Sequence, residues 1–336
     1  MSFTSARRTA RNLHRVLHCN SFSKAPSHRI SPLSIGYVRT LSSKNEATPA
    51  SYISGSQTHF GFETVDIADK EPRVKQVFAN VADSYDVMND FMSMGIHRYW
   101  KDELVKSTGI SSISKILRQQ PHGEQKTKFS ILDVAGGTGD VAFRFVDAAG
   151  CKDRAKSSGT DEISVTVCDI NPDMLRVGEA RAKSKYGSDL MDQSQALKFV
   201  IGNAQKLKES QLDDENFDLY TIAFGLRNVT DVDMALREAH RVLKPGGRYL
   251  CLEFSQVVEE KIMRPLYDAY SFNVIPEIGR LVANDRDSYQ YLVESIRKFS
   301  NQDELKGRLE KAGFVNVNYT NYSGGIVAIH EGWKEL

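Results

Sequence analysis

Hydrophobic positions along this chain repeat on two periods that take turns, and that alternation is the first structural signal. Short apolar, β-branched runs occupy residues 129–134, 163–168, 197–201, 217–223 and 248–254. Between them, residues 140–149, 172–186 and 231–243 carry apolar side chains at helical spacing. Strands alternating with helices predict an α/β fold: an open, mostly parallel sheet with helices on both faces. After Phe254 the pattern breaks. A stretch over 256–299 is rich in Tyr, Phe, Ile and Pro, and a helix over 302–312 follows. Two closing runs, 314–319 and 325–330, flank a Ser323-Gly324 turn signal and predict a hairpin-like pair, which brings the sheet to about seven strands. Ahead of the first strand, residues 73–92 and 96–108 read as helices that cover the ligand edge.

Length and composition set the scale. With 336 residues and 40% hydrophobic content, the chain can bury a substantial core. The expected organisation is one domain over 60–336, with a helical cover over 70–108 and a lid insertion over 256–300. No run reaches the roughly 18 apolar residues of a spanning helix, so any membrane contact is peripheral.

The net charge of +1 hides an asymmetry, because residues 1–45 hold eight Lys or Arg and no acid. Their Arg7, Arg8, Arg11 and Arg15 lie among serines, with Leu13, Val16 and Leu17 on one helical face. That composition predicts a mitochondrial transit peptide cleaved between Arg39 and Glu46; a disordered basic tail is the plainer alternative. The remainder carries 36 basic against 43 acidic residues and offers no basic field for nucleic acid. Cys19, Cys151, Cys168 and Cys251 lack metal-ligand spacing and read as small core hydrophobes.

The sharpest chemical signal is Ile131-Leu132-Asp133-Val134-Ala135-Gly136-Gly137-Thr138-Gly139-Asp140, a strand running through a glycine loop into a helix. Gly137, Gly139 and Ala142 satisfy the weak G-x-G-x-x-A dinucleotide pattern. Charge separates two cofactors: a diphosphate wants backbone N–H groups and the positive helix end, and a carboxylate beside the loop repels it. Asp133 and Asp140 supply two carboxylates. S-adenosyl-L-methionine carries an ammonium and a sulfonium and no phosphate, so the loop suits it better. Asp140 also has a plain reading as a helix N-cap or first-turn acid. Asp169, ending the second strand, is placed to accept both ribose hydroxyls. Asn203 and Ala204, ending the third, are placed for adenine, although Asn203 alone reads as a turn residue. Lys244-Pro245-Gly246-Gly247 reads as a helix stop and turn, not a phosphate cradle.

These residues, in this order, resemble class I methyltransferases. Residues 77–90 (VFANVADSYDVMND), 93–101 (SMGIHRYWK) and 224–230 (FGLRNVT) resemble the signatures of the UbiE/Coq5 quinone-biosynthesis methyltransferases, and the resemblance runs from about Phe60 to Trp333. It implies a class I fold and C-methylation of a polyprenyl quinol. With the leader, it points to 2-methoxy-6-polyprenyl-1,4-benzoquinol in ubiquinone biosynthesis, on the matrix face of the mitochondrial inner membrane. It implies cofactor contacts at Thr138, Asp169, Asn203 and Ala204, beside the loop residues Asp133 and Gly137. A homodimer and membership of a multi-subunit ubiquinone-synthesis complex are implied as well. Two departures stand out: Ala223 occupies a position where bacterial members commonly have Ser, and Ala135 replaces the first loop glycine.

Methylation of a ring carbon needs the electron-rich phenolate. For a phenol near pKa 10, ionisation at pH 7 asks for roughly 4 kcal/mol of selective anion stabilisation. Arg227, at the carboxyl end of the fourth strand, is the first candidate to hold that anion, with Asn228 and Tyr85 beside it. Asn89 and His97 are candidates for ring positioning, although a lone His more often packs its own helix. Tyr267 and Tyr270, within an apolar stretch over 262–278, line either a prenyl tunnel, a packed lid or a subunit interface. Three rival functions stand beside this reading: methylation of a demethylmenaquinone-type quinol, a nicotinamide-dependent oxidoreductase, and a scaffold that binds cofactor without chemistry.

Overall fold

The five inner strand runs expected from the sequence all form strands, in a single seven-stranded sheet. A computed structural model of the chain describes residues 57–81, 89–90, 93, 95–119, 128–150, 163–188, 191, 196–256, 270–277, 280 and 286–336. The leader over 1–45, the insert over 151–162, Tyr85, Tyr267 and, within 256–300, residues 257–269, 278–279 and 281–285 lie outside the described residues.

The strands are β3 (Phe129–Val134), β4 (Ile163–Asp169), β5 (Leu197–Ile201), β6 (Phe217–Ala223), β7 (Leu243–Phe254), β8 (Val315–Tyr322) and β9 (Val327–Trp333). Their spatial order is β5-β4-β3-β6-β7-β9-β8. The first five pair in parallel, and β9 runs antiparallel to both neighbours. Alternate strand residues serve opposite faces. Ile131, Val165, Val167, Leu219 and Leu250 pack in one core. Leu132, Cys168, Tyr220, Tyr249 and Cys251 pack in the other. Both faces are covered, so the strands are apolar almost throughout and carry little period-two signal.

Chain order departs from β3 in two directions, through β4 to β5 and later through β6 to β7. The crevice beyond the carboxyl ends of β3, β4 and β6 is therefore the topological switch point where α/β sheets bind ligands. Helices flank it: α1 (Ile67–Val81), α2 (Ile96–Ser107), α3 (Ile110–Arg118), α4 (Asp140–Ala149), α5 (Pro172–Tyr186), α6 (Val232–Val242), α7 (Arg286–Lys298) and α8 (Gln302–Lys311). Side-chain chemistry sets their starts. Asn171 accepts from the Asp173 N–H (2.9 Å) with Pro172 at the first helical position. Asn301 and Glu304 form a capping box.

Several boundaries differ from expectation. A hairpin of β1 (Gln57–Phe60) and β2 (Glu63–Asp66) precedes α1, and four-residue strands are too short to show a period. Helix α1 starts at Ile67, not Arg73, and carries Pro72 inside it. That proline forgoes only the bond to the Ala68 carbonyl, so it does not mark the helix start. Helix α3 was unassigned although Ile110, Ile113 and Leu117 are buried at helical spacing; Gly109, at φ 70, separates it from α2. In β7, Leu243 faces Phe217 and Arg248 faces Leu219, so Lys244 to Gly247 bulge out with Gly246 at φ 75. The helix stops at Val242 as expected, but the tetrapeptide is a bulge within β7 and not a turn ahead of the strand.

Candidate active site

The glycine loop needs its glycines for space as well as for backbone angle. A Cβ on Gly136 would stand 2.7 Å from Val167 Cγ1 and 3.0 Å from Asp133 Oδ2. Gly137 and Gly139 have φ of 54 and 81, the left-handed region that other residues occupy at a cost. Ala135, the departure from the glycine pattern, sits at φ 51 and packs against Gly225, where any Cβ would overlap its own. The loops after β3 and β6 thus fit only because position 225 has no side chain.

Around this loop lies a pocket lined by Asp133, Gly137, Thr138, Asp169, Asn203, Ala204 and Asn228. The structure brings together all six expected cofactor residues and Asn228. Asp169 braces the loop, its Oδ2 accepting from the Gly137 N–H (2.9 Å) and its Oδ1 from the Asn171 N–H (2.8 Å). Burial raises its pKa, and these backbone donors oppose the shift. The Ile170 N–H is a third such donor, and the acceptor capacity the carboxylate keeps toward the pocket fits a ribose hydroxyl.

Asp133 is buried and accepts from Thr221 Oγ1 (2.8 Å) through Oδ1, while its Oδ2 has no hydrogen-bond partner among the described residues. Burial pushes its carboxyl up to about 7. An orphaned carboxylate oxygen beside a glycine loop is a receptor for a donor or a cation. Thr138 Oγ1 accepts from Arg181 Nη1 (3.0 Å) and retains its own proton to donate.

Asn203 lines the pocket and has the bonding of its turn reading. Its Oδ1 accepts from the Gln205 N–H (2.9 Å) as a turn residue would, and its Nδ2 donates to Glu71 Oε2 (2.9 Å) on α1. Glu71, Val74, Lys75 and Phe78 from α1 line the pocket on that side. Asp140 is a first-turn acid of α4, as its plain reading allowed, and not the cap, which is Gly139. It pairs with Lys101 Nζ (2.7 Å) and Arg144 Nη1 (3.1 Å). Burial raises the Asp140 pKa, but those two cations outweigh it and hold the carboxyl below its ordinary range.

Arg227 requires a correction. Its charge is not free, because Nη1 donates to Glu253 Oε1 (2.9 Å) and to the Phe224 carbonyl, and both side chains are almost wholly buried. Its backbone N–H donates to Glu253 Oε2 (3.2 Å). A buried pair projects a dipole, not a monopole, so a single cation aimed at substrate is not what the fold builds. Arg227 Nε is a further donor, buried with no partner among the described residues. Asn228 Oδ1 accepts from Tyr291 Oη (3.1 Å), and Tyr291 stacks on Phe60 with ring centroids 4.2 Å apart. Arg227 and Tyr291 line a second, wider cleft that meets the first pocket at Glu71, Lys75, Asn203 and Val229.

The positioning candidates fare differently. His97 is buried at the start of α2, its Nδ1 2.8 Å from Ser93 Oγ, which also accepts from the His97 N–H (3.2 Å). Burial lowers its pKa to about 4, so it is a neutral packing residue of its helix. Asn89 contributes its carbonyl to Ser93 Oγ (2.7 Å). Tyr270 opens a π-helical turn, Tyr270–Val274. Sequence reading missed Lys101, Glu71, Glu253 and Tyr291. Glu253 carried a legible signal, as the one acid in the buried run Leu250-Cys251-Leu252-Glu253-Phe254; Tyr291, on a polar helix, carried none.

A family model described as the ubiE/COQ5 methyltransferase family matches residues 66–334. A Gallus gallus protein named "2-methoxy-6-polyprenyl-1,4-benzoquinol methylase, mitochondrial" is 46% identical over 305 residues, covering 84% of this chain and 90% of its own. The Homo sapiens protein of that name is 48% identical over 83% of this chain and 85% of its own. A Nitrobacter hamburgensis protein named "Ubiquinone/menaquinone biosynthesis C-methyltransferase UbiE" is 50% identical over 83% of this chain and 98% of its own. Among solved structures, the DszA carbon methyltransferase aligns at a TM-score of 0.48 and 16% identity over 72% of this chain and 55% of its own, a likeness too slight to carry an argument. Sequence and site agree, and the chain belongs to the ubiE/COQ5 methyltransferase family.

Proposed function

We propose that the protein is a C-methyltransferase that uses S-adenosyl-L-methionine to methylate the ring of 2-methoxy-6-polyprenyl-1,4-benzoquinol in ubiquinone biosynthesis. One observation carries the cofactor: a glycine loop flanked by the buried, half-satisfied Asp133 and by Asp169, a pocket hostile to phosphate and suited to a cationic nucleoside. The names of relatives 46% and 48% identical support the substrate. When bound, the cofactor supplies an electrophilic methyl group.

The chain's own residues do the rest. Asp169 accepts the ribose hydroxyls, Asn203 and Ala204 hold the adenine edge, Thr138 and Gly137 bound the loop, and Asp133 receives positive charge. Arg227 offers its spare Nε–H to the ionised ring oxygen, with Asn228 beside it; Glu253 fixes the guanidinium plane. A guanidinium has no acceptor for the phenol proton, so a water takes it.

Location and partners belong to the same proposal. Relatives are named mitochondrial, and no described helix is long and apolar enough to cross a membrane, which supports a peripheral place on the matrix face of the inner membrane. The homodimer and the ubiquinone-synthesis complex rest on the family resemblance. A naphthoquinol substrate is the second reading, favoured by the name of the Nitrobacter relative.

Mass spectrometry of each quinol incubated with methyl-labelled cofactor tests these readings. Label on a benzoquinol ring carbon is the expected result; label on oxygen, or on the naphthoquinol alone, overturns it. Calorimetric titration with S-adenosylhomocysteine and with NADH separates the cofactors, and only the first should bind.

A further inference from the structure

Two amines line the carboxylate-rich pocket among the described residues, and they differ in kind. Lys75 is half-buried and pairs with Glu71 (3.1 Å) at the side where Glu71 meets Asn203. Lys101, on α2, is only 5% exposed, and its Nζ stands 2.7 Å from Asp140 Oδ2 at the other side of the loop. Burying an ammonium is costly unless the surroundings return the charge.

Asp140 does not do so alone. It is shared with Arg144 (3.1 Å), whose Nε also reaches the exposed Asp102 (3.1 Å). An ammonium has three protons to give; hydrogen-bond partners among the described residues account for one of those on Lys101. Within electrostatic reach of it lies Asp133, whose Oδ2 has no partner. This side of the pocket therefore presents a buried cation with donors to spare and a buried carboxylate with an acceptor to spare. The complementary ligand carries a carboxylate and an ammonium on one carbon, which is an α-amino acid. Without a cation here, the charged side chains on this side of the pocket would be Asp133 and Asp140 alone, among the described residues.

We propose that Lys101 binds the methionyl carboxylate of S-adenosyl-L-methionine while Asp133 receives its α-ammonium. This rests on the cofactor reading given above. Lys101 is then a binding residue, and α2 covers the amino-acid end of the cofactor as α1 covers the nucleoside end.

The test compares two ligands that differ in this group alone: S-adenosylhomocysteine, which has the amino-acid moiety, and 5′-methylthioadenosine, which lacks it. A charge-assisted hydrogen bond is worth about 10- to 100-fold in affinity. In Lys101→Met, titration should show S-adenosylhomocysteine weakened by that factor and methylthioadenosine unchanged within about twofold. Lys101→Arg, which keeps the charge beside Asp140, should retain S-adenosylhomocysteine within about tenfold. Equal loss of both ligands in both variants, or undiminished S-adenosylhomocysteine affinity in Lys101→Met, overturns the assignment. Wild-type protein that binds neither ligand overturns the cofactor reading itself, and is distinguished by needing no variant.

Discussion

The Arg227–Glu253 pair makes the most demanding prediction, because it separates stability from function. Both side chains are almost wholly buried, 3% and 1% exposed, and the guanidinium lies 5.3 Å from the Phe254 ring centroid. Truncation in Glu253→Ala strands a buried cation and deprives the backbone N–H groups of Arg227 and Phe254 of their acceptor. Breaking such a pair costs about 3–5 kcal/mol. For a domain of this size the melting temperature should drop by on the order of 10 °C. Replacing both partners, as in Arg227→Met with Glu253→Leu, removes the stranded charge but still leaves those two N–H groups without their acceptor, so about half of the lost stability should return. Turnover should not return. With the Nε–H donor gone, methyl transfer in the double variant should fall about 100-fold or more. Arg227 does not line the cofactor pocket, so S-adenosylhomocysteine affinity should stay within about threefold. Urea unfolding, calorimetric titration and single-turnover methyl transfer measure the three quantities. A double variant as unstable as Glu253→Ala, or one that still turns over, refutes the reasoning.

Asp133 predicts a pH dependence. Its carboxyl is held at about 7 against an ordinary 3.8, so between those values the folded protein binds this proton and the unfolded chain does not. Stability attributable to Asp133 is therefore lost as pH rises from about 4 to 7. Asp133→Asn should reduce the stability difference between pH 5 and pH 8 by about 2–4 kcal/mol in urea melts; coincident pH profiles would contradict this. In the wild type, S-adenosylhomocysteine should bind more tightly at pH 8 than at pH 6, as the carboxylate ionises. Gly225→Ala, at φ −111, meets no backbone strain and only the Ala135 side chain. It should cost about 1–3 kcal/mol in stability and weaken cofactor binding by displacing the glycine loop, whereas the double change Gly225→Ala with Ala135→Gly should recover both. His330 is held neutral by burial, with its pKa lowered to about 4, so its contribution is lost as pH falls from 6.5 toward 4, and an acid melt of His330→Gln should lack that limb.

Much of this fold was legible because the covered sheet writes itself as continuous apolar runs. Strand β3 matches its expected bounds, and the loop that follows announces itself through glycines and acids. What escaped notice shares a physical cause: it depends on contacts between distant segments. The bond from Asn203 to Glu71 spans 132 positions, and no local pattern on α1 points to it. Tyr291 reaches Asn228 across 63 positions. Arg227 was identified as a site residue, yet its state was misjudged, since the partner that consumes its charge lies on β7. Sequence order reveals which chemistry a position offers; whether a charge is free depends on what packs against it. His97 shows the converse, for a histidine buried against Ser93 loses the proton that would make it useful.

The same dependence on neighbours explains how one loop shape distinguishes two cofactors. The cap of α4 is Gly139, which has no side-chain acceptor, so the first backbone N–H groups of the helix stay open as they do where helices cradle phosphate. Local backbone therefore favours an anion. Four carboxylates on the pocket wall, Glu71, Asp133, Asp140 and Asp169, face two amines, Lys75 and Lys101. Two like charges 4 Å apart at an effective dielectric of 20 repel by about 4 kcal/mol, near a thousandfold in affinity, whereas a first-turn helix dipole returns about 1 kcal/mol. The side chains win. Asp140 cannot relieve the conflict by protonating, because Lys101 and Arg144 hold it ionised. Asp133 can, at the cost of the receptor a cationic ligand needs. A diphosphate would thus lie against Asp140 and Asp169 even with Asp133 protonated, while a nucleoside bearing an ammonium draws Asp133 into the ionised form that burial disfavours and meets Asp140 already ionised.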